Sequence, residues 1–116
     1  MNELPPPSPG IGRDKDILNL GLSFEFGAES ARIFSILGDK GQWPAELPVR
    51  ILKRQPHTKL IVALPDFTRA EIAIEPTAGG CEVTLLHDLI KTAEGKSEYL
   101  KIWNAWFKQI EKRVSL

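Results

Sequence analysis

The C-terminal segment from Ser97 to about Val114 constrains the fold more than any other part of the chain. Its apolar residues recur at spacings of three and four, which places them on one face of a helix. They are Tyr99, Ile102, Trp103, Trp106, Phe107, Ile110 and Val114. Each large aromatic side chain buries on the order of 150–250 Å², so another part of the chain has to cover this face. Ser97 is the predicted N-cap, because its hydroxyl can accept a hydrogen bond from the first turn.

The covering surface is predicted to be an antiparallel sheet, because the preceding sequence alternates between apolar and polar residues with a period of two. The predicted strands are residues 18–26, 49–54, 59–64, 68–75 and 81–89. The strand at 59–64 is apolar on both faces, which predicts that it lies inside the sheet. A turn at 55–58 joins it to the strand before it, and Gly79-Gly80 marks the last strand–strand turn.

One short helix is predicted between the first two strands, from Ala28 to Leu37. Its apolar stripe combines Ala31, Phe34 and Leu37 with Ile33 beside them. Gly38 is expected to end the helix as its C′ residue. The order is therefore strand, helix, three or four strands and a long helix, which indicates an α+β fold and not a wound parallel sheet.

The length of 116 residues suits one domain. Residues 1–15 contain Pro5, Pro6, Pro7 and Pro9, which favour extended chain and remove backbone donors. We therefore expect a disordered proline-rich arm over 1–15 and a single domain over 16–116.

Composition excludes several classes of function. Lys and Arg number 15, as do Asp and Glu, so no large positive field attracts nucleic acid or anionic lipid. Cys81 is the single cysteine, which fits a reducing compartment. The sequence shows no apolar run of the roughly 20 residues that span a bilayer. No signal peptide is predicted, because the N-terminus lacks a basic start and an apolar segment after it. A cytoplasmic protein that binds neither nucleic acid nor membrane is the prediction.

Two groups of residues on the predicted sheet and helix leave alternatives open. Trp103, Trp106 and Phe107 are either core alone or also the lining of an apolar ligand cleft between helix and sheet. His87 is the one polar residue on an apolar strand face, and it is either satisfied by a neighbour or a polar anchor at the mouth of that cleft. His57 lies in a predicted turn and is expected to face solvent.

A basic patch around the first hairpin is formed by Arg50, Lys53, Arg54 and Lys59. It either protects a sheet edge with charge or docks onto an acidic protein. One cysteine and two distant histidines give no spacing for a metal site, and no glycine-rich phosphate loop precedes a helix. No cofactor is therefore predicted.

The late strands carry a resemblance to a known family. Residues 70–76, the turn with Gly79-Gly80, and residues 82–87 resemble the late hairpin of the START-like SRPBCC superfamily. The branch most similar is the domain like the C-terminal part of the activator of heat-shock protein 90 ATPase. The segment from Tyr99 to Val114 is similar to its closing helix. Only residues 41–48 stand where that family usually has another strand pair, so the chain resembles a shortened member.

The resemblance implies a helix-grip fold, with a curved antiparallel sheet packed against a long C-terminal helix. It also implies an apolar cavity between them, since members bind hydrophobic molecules. We therefore predict a non-catalytic domain that binds a small hydrophobic ligand. The expected cavity residues are Phe24, Val83, Leu85, His87, Trp103 and Phe107.

Two alternative functions remain from the same resemblance. The first is a co-chaperone-like interaction module that binds a chaperone or other protein through Arg50, Lys53 and Arg54. The second is an enzyme like the polyketide cyclases or dehydratases, for which His87 is the one candidate acid or base. A shortened sheet with an apolar edge also makes a homodimer an expectation.

Overall fold

The computed structural model describes residues 18–114, which form one antiparallel sheet and two α-helices. Along the chain the elements are β1 (Leu18–Phe26), α1 (Ser30–Leu37), a 3-10 helix (Lys40–Gln42), β2 (Arg50–Gln55), β3 (Lys59–Ala63), β4 (Arg69–Thr77), β5 (Gly80–Ile90) and α2 (Ala93–Val114). The expected arm at 1–15 lies outside the described residues.

The five strands follow the spatial order β1-β5-β4-β3-β2, and every neighbouring pair is antiparallel. The last strand, β5, therefore pairs with the first strand, β1. The two edges of the sheet are β1 and β2. β3 lies inside the sheet, as its two apolar faces predict. The α+β class is confirmed, and the sheet has five strands, the larger of the two numbers that the sequence allowed.

One face of the sheet carries the apolar side chains, because residues that are paired across the strands project to the same side. Leu22 is opposite Leu85, and Leu85 is opposite Ile72. α2 lies over this face and buries its aromatic stripe there. The helix residues that are at most 1% exposed are Trp103, Trp106, Phe107 and Ile110, which confirms the predicted apolar stripe at its centre.

α1 differs from its prediction in two respects. It begins at Ser30, and its buried residues are Ile33, Ile36 and Leu37, whereas Ala31 is exposed. The buried face of α1 therefore differs from the predicted stripe. Ile36 and Leu37 lie one turn after Ile33 on the same face, and Ala31 lies outside it.

The end of α1 also corrects the sequence prediction. Gly38 does end the helix, but as its C-cap with φ −79° and not as the C′ residue one position further on. Glycine suits the position for another reason, since a Cβ there would lie 2.9 Å from the carbonyl oxygen of Phe34. The Arg54 guanidinium donates to the Gly38 carbonyl over 2.9 and 3.2 Å, which satisfies a carbonyl that the helix leaves free.

α2 begins four residues before the predicted N-cap. The Thr92 hydroxyl accepts from the Gly95 N–H over 2.9 Å, and the Thr92 carbonyl accepts from the Lys96 N–H. Ser97 lies inside the helix, so its prediction as the cap was wrong, and residues 93–97 are helical. Both residues have a hydroxyl that can cap a helix, and the longer helix gains a full turn of backbone hydrogen bonds.

The turn between β4 and β5 is held against the end of β1 by a close backbone approach. Gly80 has φ +156°, and a Cβ on it would lie only 2.0 Å from the Phe26 carbonyl oxygen. A side chain cannot be accommodated there without moving the backbone.

Candidate functional site

His87 occupies the centre of the buried sheet face. It lies on β5, between Leu20 of β1 and Ala70 of β4, and it is completely buried. A polar ring in such a place is stable only if its nitrogen atoms have partners. Both of them do.

The first partner fixes the tautomer of the imidazole. Trp103 Nε1 donates to His87 Nδ1 over 2.9 Å. An indole N–H can only donate, so Nδ1 must be the unprotonated nitrogen. The proton of neutral His87 therefore resides on Nε2, which donates to Thr68 Oγ1 over 2.8 Å.

The chain of hydrogen bonds continues to the turn between β3 and β4. The Thr68 hydroxyl, having accepted from His87, donates to Asp66 Oδ1 over 2.7 Å, and the Thr68 N–H donates to the same oxygen. Tyr99 of α2 donates its hydroxyl to Asp66 Oδ2 over 2.5 Å. One polar network, which we call the His87 network, thus joins α2 to β5 and to the β3–β4 turn.

The pKa values keep this network in a single protonation state. Burial lowers the pKa of His87 from 6.5 to about 4, and the negative charges of Asp66 and Asp88 oppose that shift without overcoming it. Burial raises the pKa of Tyr99 to about 12, and its hydrogen bond to Asp66 adds to the effect. Burial of Asp66 raises its pKa, but the hydrogen bonds from Thr68 and Tyr99 outweigh it and leave the pKa below 3.8. At neutral pH the network therefore contains a neutral imidazole, a carboxylate and a neutral phenol.

The six residues predicted to line a cavity come together in the structure. Phe24 is partly buried, and the other five are at most 1% exposed. The ring centroids of Phe24 and Phe107 are 4.6 Å apart, and those of Trp103 and Phe107 are 6.0 Å apart. These residues form a contiguous part of the core around His87.

Trp106 differs from the other two tryptophans in its hydrogen bonding, and the sequence did not predict this difference. It is 1% exposed, yet its indole N–H has no hydrogen-bond acceptor among the described residues. The other two indoles are satisfied, since Trp43 donates to the Leu37 carbonyl and Trp103 donates to His87. Trp103 and Trp106 have the same helical pattern, so spacing alone could not have distinguished them.

An open cleft of about 190 Å³ lies against Trp106, between α2 and the segment that follows the 3-10 helix. We call it the Trp106 cleft. Its lining residues are Pro44, Glu46, Lys101, Ile102, Ala105, Trp106 and Gln109. The Arg113 guanidinium lies 5.3 Å from the centroid of the Trp106 ring, a distance at which a cation is attracted to an indole face.

The three basic residues predicted to bind a partner do not form one site. Arg50, Lys53 and Arg54 are all exposed, but Arg54 is bonded to the Gly38 carbonyl. Lys53 is paired with Ile61 on the outer face of the sheet. Arg50 lies at a second open cleft, of about 410 Å³, that also includes Phe67 and Leu89.

Residues 18–114 contain neither a metal-ligand cluster nor a membrane-spanning helix. This part of the chain brings no three His, Cys, Asp or Glu side chains together as metal ligands. No helix in it has the length and apolar character required to cross a bilayer.

No family model matches the chain, and a search of curated proteins gave no match. Solved structures do match. An AHSA1-like protein from Rhizobium etli superimposes with a TM-score of 0.67 at 16% identity, covering 83% of this chain and 81% of that one. The AHSA1 protein from Silicibacter pomeroyi gives 0.68 at 12% identity, covering 84% and 98%. A protein from Mesorhizobium loti gives 0.73 at 10% identity, covering 84% and 97%.

These similarities define the class of fold. A five-stranded antiparallel sheet gripping a long C-terminal helix is the architecture that this chain shares with AHSA1-like proteins. The helix-grip fold predicted from the resemblance is confirmed. Identities of 10–16% carry the fold and no activity.

Proposed function

We propose that the protein is a non-catalytic binding domain for a small, neutral, largely apolar molecule that carries a carbonyl-type hydrogen-bond acceptor. The observation that carries the proposal is the buried N–H of Trp106 beside an apolar cleft. An unpaired buried donor costs about 1–3 kcal/mol. A ligand that supplies the acceptor recovers this free energy.

The chemistry of the Trp106 cleft supports the choice of ligand. Pro44, Ile102 and Ala105 contribute apolar surface, while Glu46 and Lys101 contribute opposite charges at its exposed rim. The charges of Glu46 and Lys101 offset each other, and the Arg113 guanidinium beside the Trp106 ring disfavours a cationic ligand. The Trp106 nitrogen is sealed from solvent, and binding therefore involves a small shift of the indole or of α2.

The His87 network supports a role without catalysis. A general base must offer a free nitrogen to a substrate. Both nitrogens of His87 are occupied and its ring has no exposed surface. His87 acts here as a brace between sheet and helix, which weakens the alternative of a cyclase or dehydratase.

A thermal-shift experiment with a matched pair of ligands tests the proposal. Cyclohexanone and cyclohexane have nearly the same shape, but only the ketone has an acceptor. A ligand that binds the folded state raises Tm. We expect cyclohexanone at millimolar concentration to raise Tm more than cyclohexane does, and the difference to vanish in Trp106→Phe. Equal shifts by both ligands in the unaltered protein would contradict the proposal.

A protein-interaction module is a second candidate, favoured by the exposure of Arg50 and Lys53 on the outer sheet face. Two structural neighbours carry the AHSA1 name, which suggests activation of a chaperone ATPase as the activity to test. We expect the domain to raise ATP hydrolysis by purified Hsp90, and the double variant Arg50→Glu/Lys53→Glu to raise it less. An unchanged hydrolysis rate at saturating domain would count against this candidate.

A further inference from the structure

The cleft of about 410 Å³ beside Arg50 has two exposed apolar side chains at its rim. Phe67 is 83% exposed and Leu89 is 40% exposed. Pro48 and Pro65 add apolar surface beside them. The Phe67 ring covers no part of the core, so the stability of the fold does not account for its presence.

The backbone holds both side chains outward in an unfavourable conformation. Phe67 has φ +67° and Leu89 has φ +68°, a region that residues with bulky side chains rarely adopt. Hydrogen bonds maintain it: the Phe67 N–H donates to the Leu64 carbonyl, and the Leu89 N–H donates to Asp88 Oδ1. Strained backbone of this kind is often retained for function.

Charge is arranged around the same cleft. Arg50 and Arg69 lie on either side of Ala63, in the strands that flank it. Both line the cleft, and neither forms an ion pair within residues 18–114. The opposite end of the outer face carries Glu25, Glu82 and Glu75 in one cross-strand row. Asp88 is opposite Arg69 in β5 without forming an ion pair with it, and Asp66 precedes Phe67, but neither carboxylate lines the cleft. Arg50 and Arg69 are the charged residues of the cleft lining, so a carboxylate that enters the cleft meets two guanidinium groups.

We propose that this cleft docks a segment of a protein partner in which an apolar side chain is flanked by carboxylates. The apolar side chain lies against Phe67 and Leu89, and the carboxylates pair with Arg50 and Arg69. A small ligand normally has 70–90% of its surface buried. A cleft whose main aromatic residue is 83% exposed cannot enclose one, but a protein segment can cover it from outside.

The docking site rests on the second candidate function, the protein-interaction module, and does not depend on the Trp106 cleft. It also separates Arg50 from Lys53 and Arg54, because those two residues do not line the cleft.

The test uses a fluorescein-labelled peptide with the sequence Glu-Glu-Leu-Phe-Glu-Glu and its counterpart with lysine in place of glutamate. Fluorescence anisotropy measures Kd for the full chain. We expect the acidic peptide to bind at least tenfold more tightly than the basic one, and to weaken as salt is added. Phe67→Asn and Arg69→Glu should each weaken the acidic peptide by about tenfold or more, because each removes one of its contacts.

Lys53→Glu is the matched control, since it makes the same change of charge on the same face outside the cleft. Its effect should be less than threefold. Failure of the acidic peptide to bind at millimolar protein, or equal losses in Lys53→Glu and Arg69→Glu, would overturn the proposal. A dimer in sedimentation that Phe67→Asn dissociates would also overturn it, because the occupant would then be a second copy of the chain.

The two proposals fail separately. Trp106→Phe should leave peptide binding intact, and Phe67→Asn should leave the cyclohexanone shift intact. Absence of Hsp90 activation together with peptide binding that depends on Phe67 would reject the chaperone and retain the docking site.

Discussion

At the scale of single residues, the two buried tryptophans of α2 have opposite hydrogen-bond states. Trp103 gives its N–H to His87, whereas Trp106 has no acceptor among the described residues. Both are almost completely buried, so replacing either by phenylalanine removes a similar apolar area. The pair therefore isolates the contribution of the hydrogen bond from that of packing.

We expect Trp103→Phe to be more destabilising than Trp106→Phe by about 1–3 kcal/mol. The first variant leaves the Nδ1 atom of His87 buried and unpaired, and the second removes a donor that was already unpaired. Urea unfolding monitored by far-UV circular dichroism gives both free energies of unfolding. An equal loss in the two variants would mean that the Trp103–His87 bond contributes nothing.

Phe67 provides a second residue-scale prediction. Asparagine tolerates the left-handed backbone region better than phenylalanine, and little buried surface is lost at a side chain that is 83% exposed. Phe67→Asn should therefore leave the free energy of unfolding unchanged or raise it by up to about 1 kcal/mol. Leu86→Asn, at an exposed position within β5, should lower it instead, because asparagine is a poor strand residue. A marked loss in Phe67→Asn would show that the ring stabilises the turn.

The residue scale is where sequence analysis was least informative. The helical spacing identified the aromatic face, but it assigned the same environment to Trp103 and Trp106. One of the two partners of His87 is Thr68, 19 positions earlier, and no local pattern connects them. Their contact depends on the β4–β5 register, which pairs Ala70 with His87.

At the scale of elements, the strands were predictable because a period of two survives wherever one face is buried. β1 matches its predicted bounds. The start of α2 was not predictable in the same way, because Thr92 and Ser97 both offer a capping hydroxyl. Thr92 is the cap because the helix gains an extra turn of backbone hydrogen bonds when it begins at Ala93. The side-chain pattern gives no information about those backbone bonds.

The capping of α2 gives a direct comparison. Thr92→Ala should lower the free energy of unfolding by about 1 kcal/mol, since the Gly95 N–H loses its acceptor. Ser97→Ala should change it by less than about 0.5 kcal/mol, because Ser97 is an exposed position inside the helix. Thermal or urea unfolding of both variants measures the difference. A larger loss in Ser97→Ala would restore Ser97 as the cap.

At the scale of the whole molecule, the His87 network makes stability depend on pH. The pKa of His87 is about 4 in the folded protein, against 6.5 for an unperturbed histidine. The unfolded chain therefore takes up a proton first as the pH falls. The contribution of His87 is fully present above pH 6.5 and is lost between there and about pH 4.

The expected slope in that window approaches 1.4 kcal/mol per pH unit, for a total of up to about 3 kcal/mol. Protonation also places a second donor on Nδ1, facing the Trp103 N–H, and so breaks that bond. Urea unfolding at pH 7.5, 6.0 and 5.0 measures the loss. His57→Asn, which changes the exposed histidine, should retain the same slope. A free energy of unfolding that stays constant from pH 7.5 to 5.0 would contradict the buried neutral state.

The outer surface shows the limit of prediction at this scale. The fold could be predicted from periodicity and from the resemblance, and both indicated a curved sheet under a terminal helix. The two clefts could not be predicted, because each lies where segments that are distant in sequence come together. The Trp106 cleft lies between residues 44–46 and α2, and the cleft beside Arg50 lies between residues 65–67, Pro48 and Leu89. Such meetings depend on loop conformations, including the positive φ angles of Phe67 and Leu89, which their residue types do not predict.

The indole N–H signals in an ¹H–¹⁵N NMR spectrum report whether the unpaired indole of Trp106 receives an acceptor from an apolar ligand. The chain has three tryptophans, and Trp106→Phe assigns the relevant signal by its disappearance. On titration with cyclohexanone, we expect the Trp106 signal to move downfield. The signals of Trp43 and Trp103 should move little, because both indoles are already bonded to protein acceptors. A Trp106 signal that does not move, or one that moves equally with cyclohexane, would show that the Trp106 N–H gains no acceptor from the ligand.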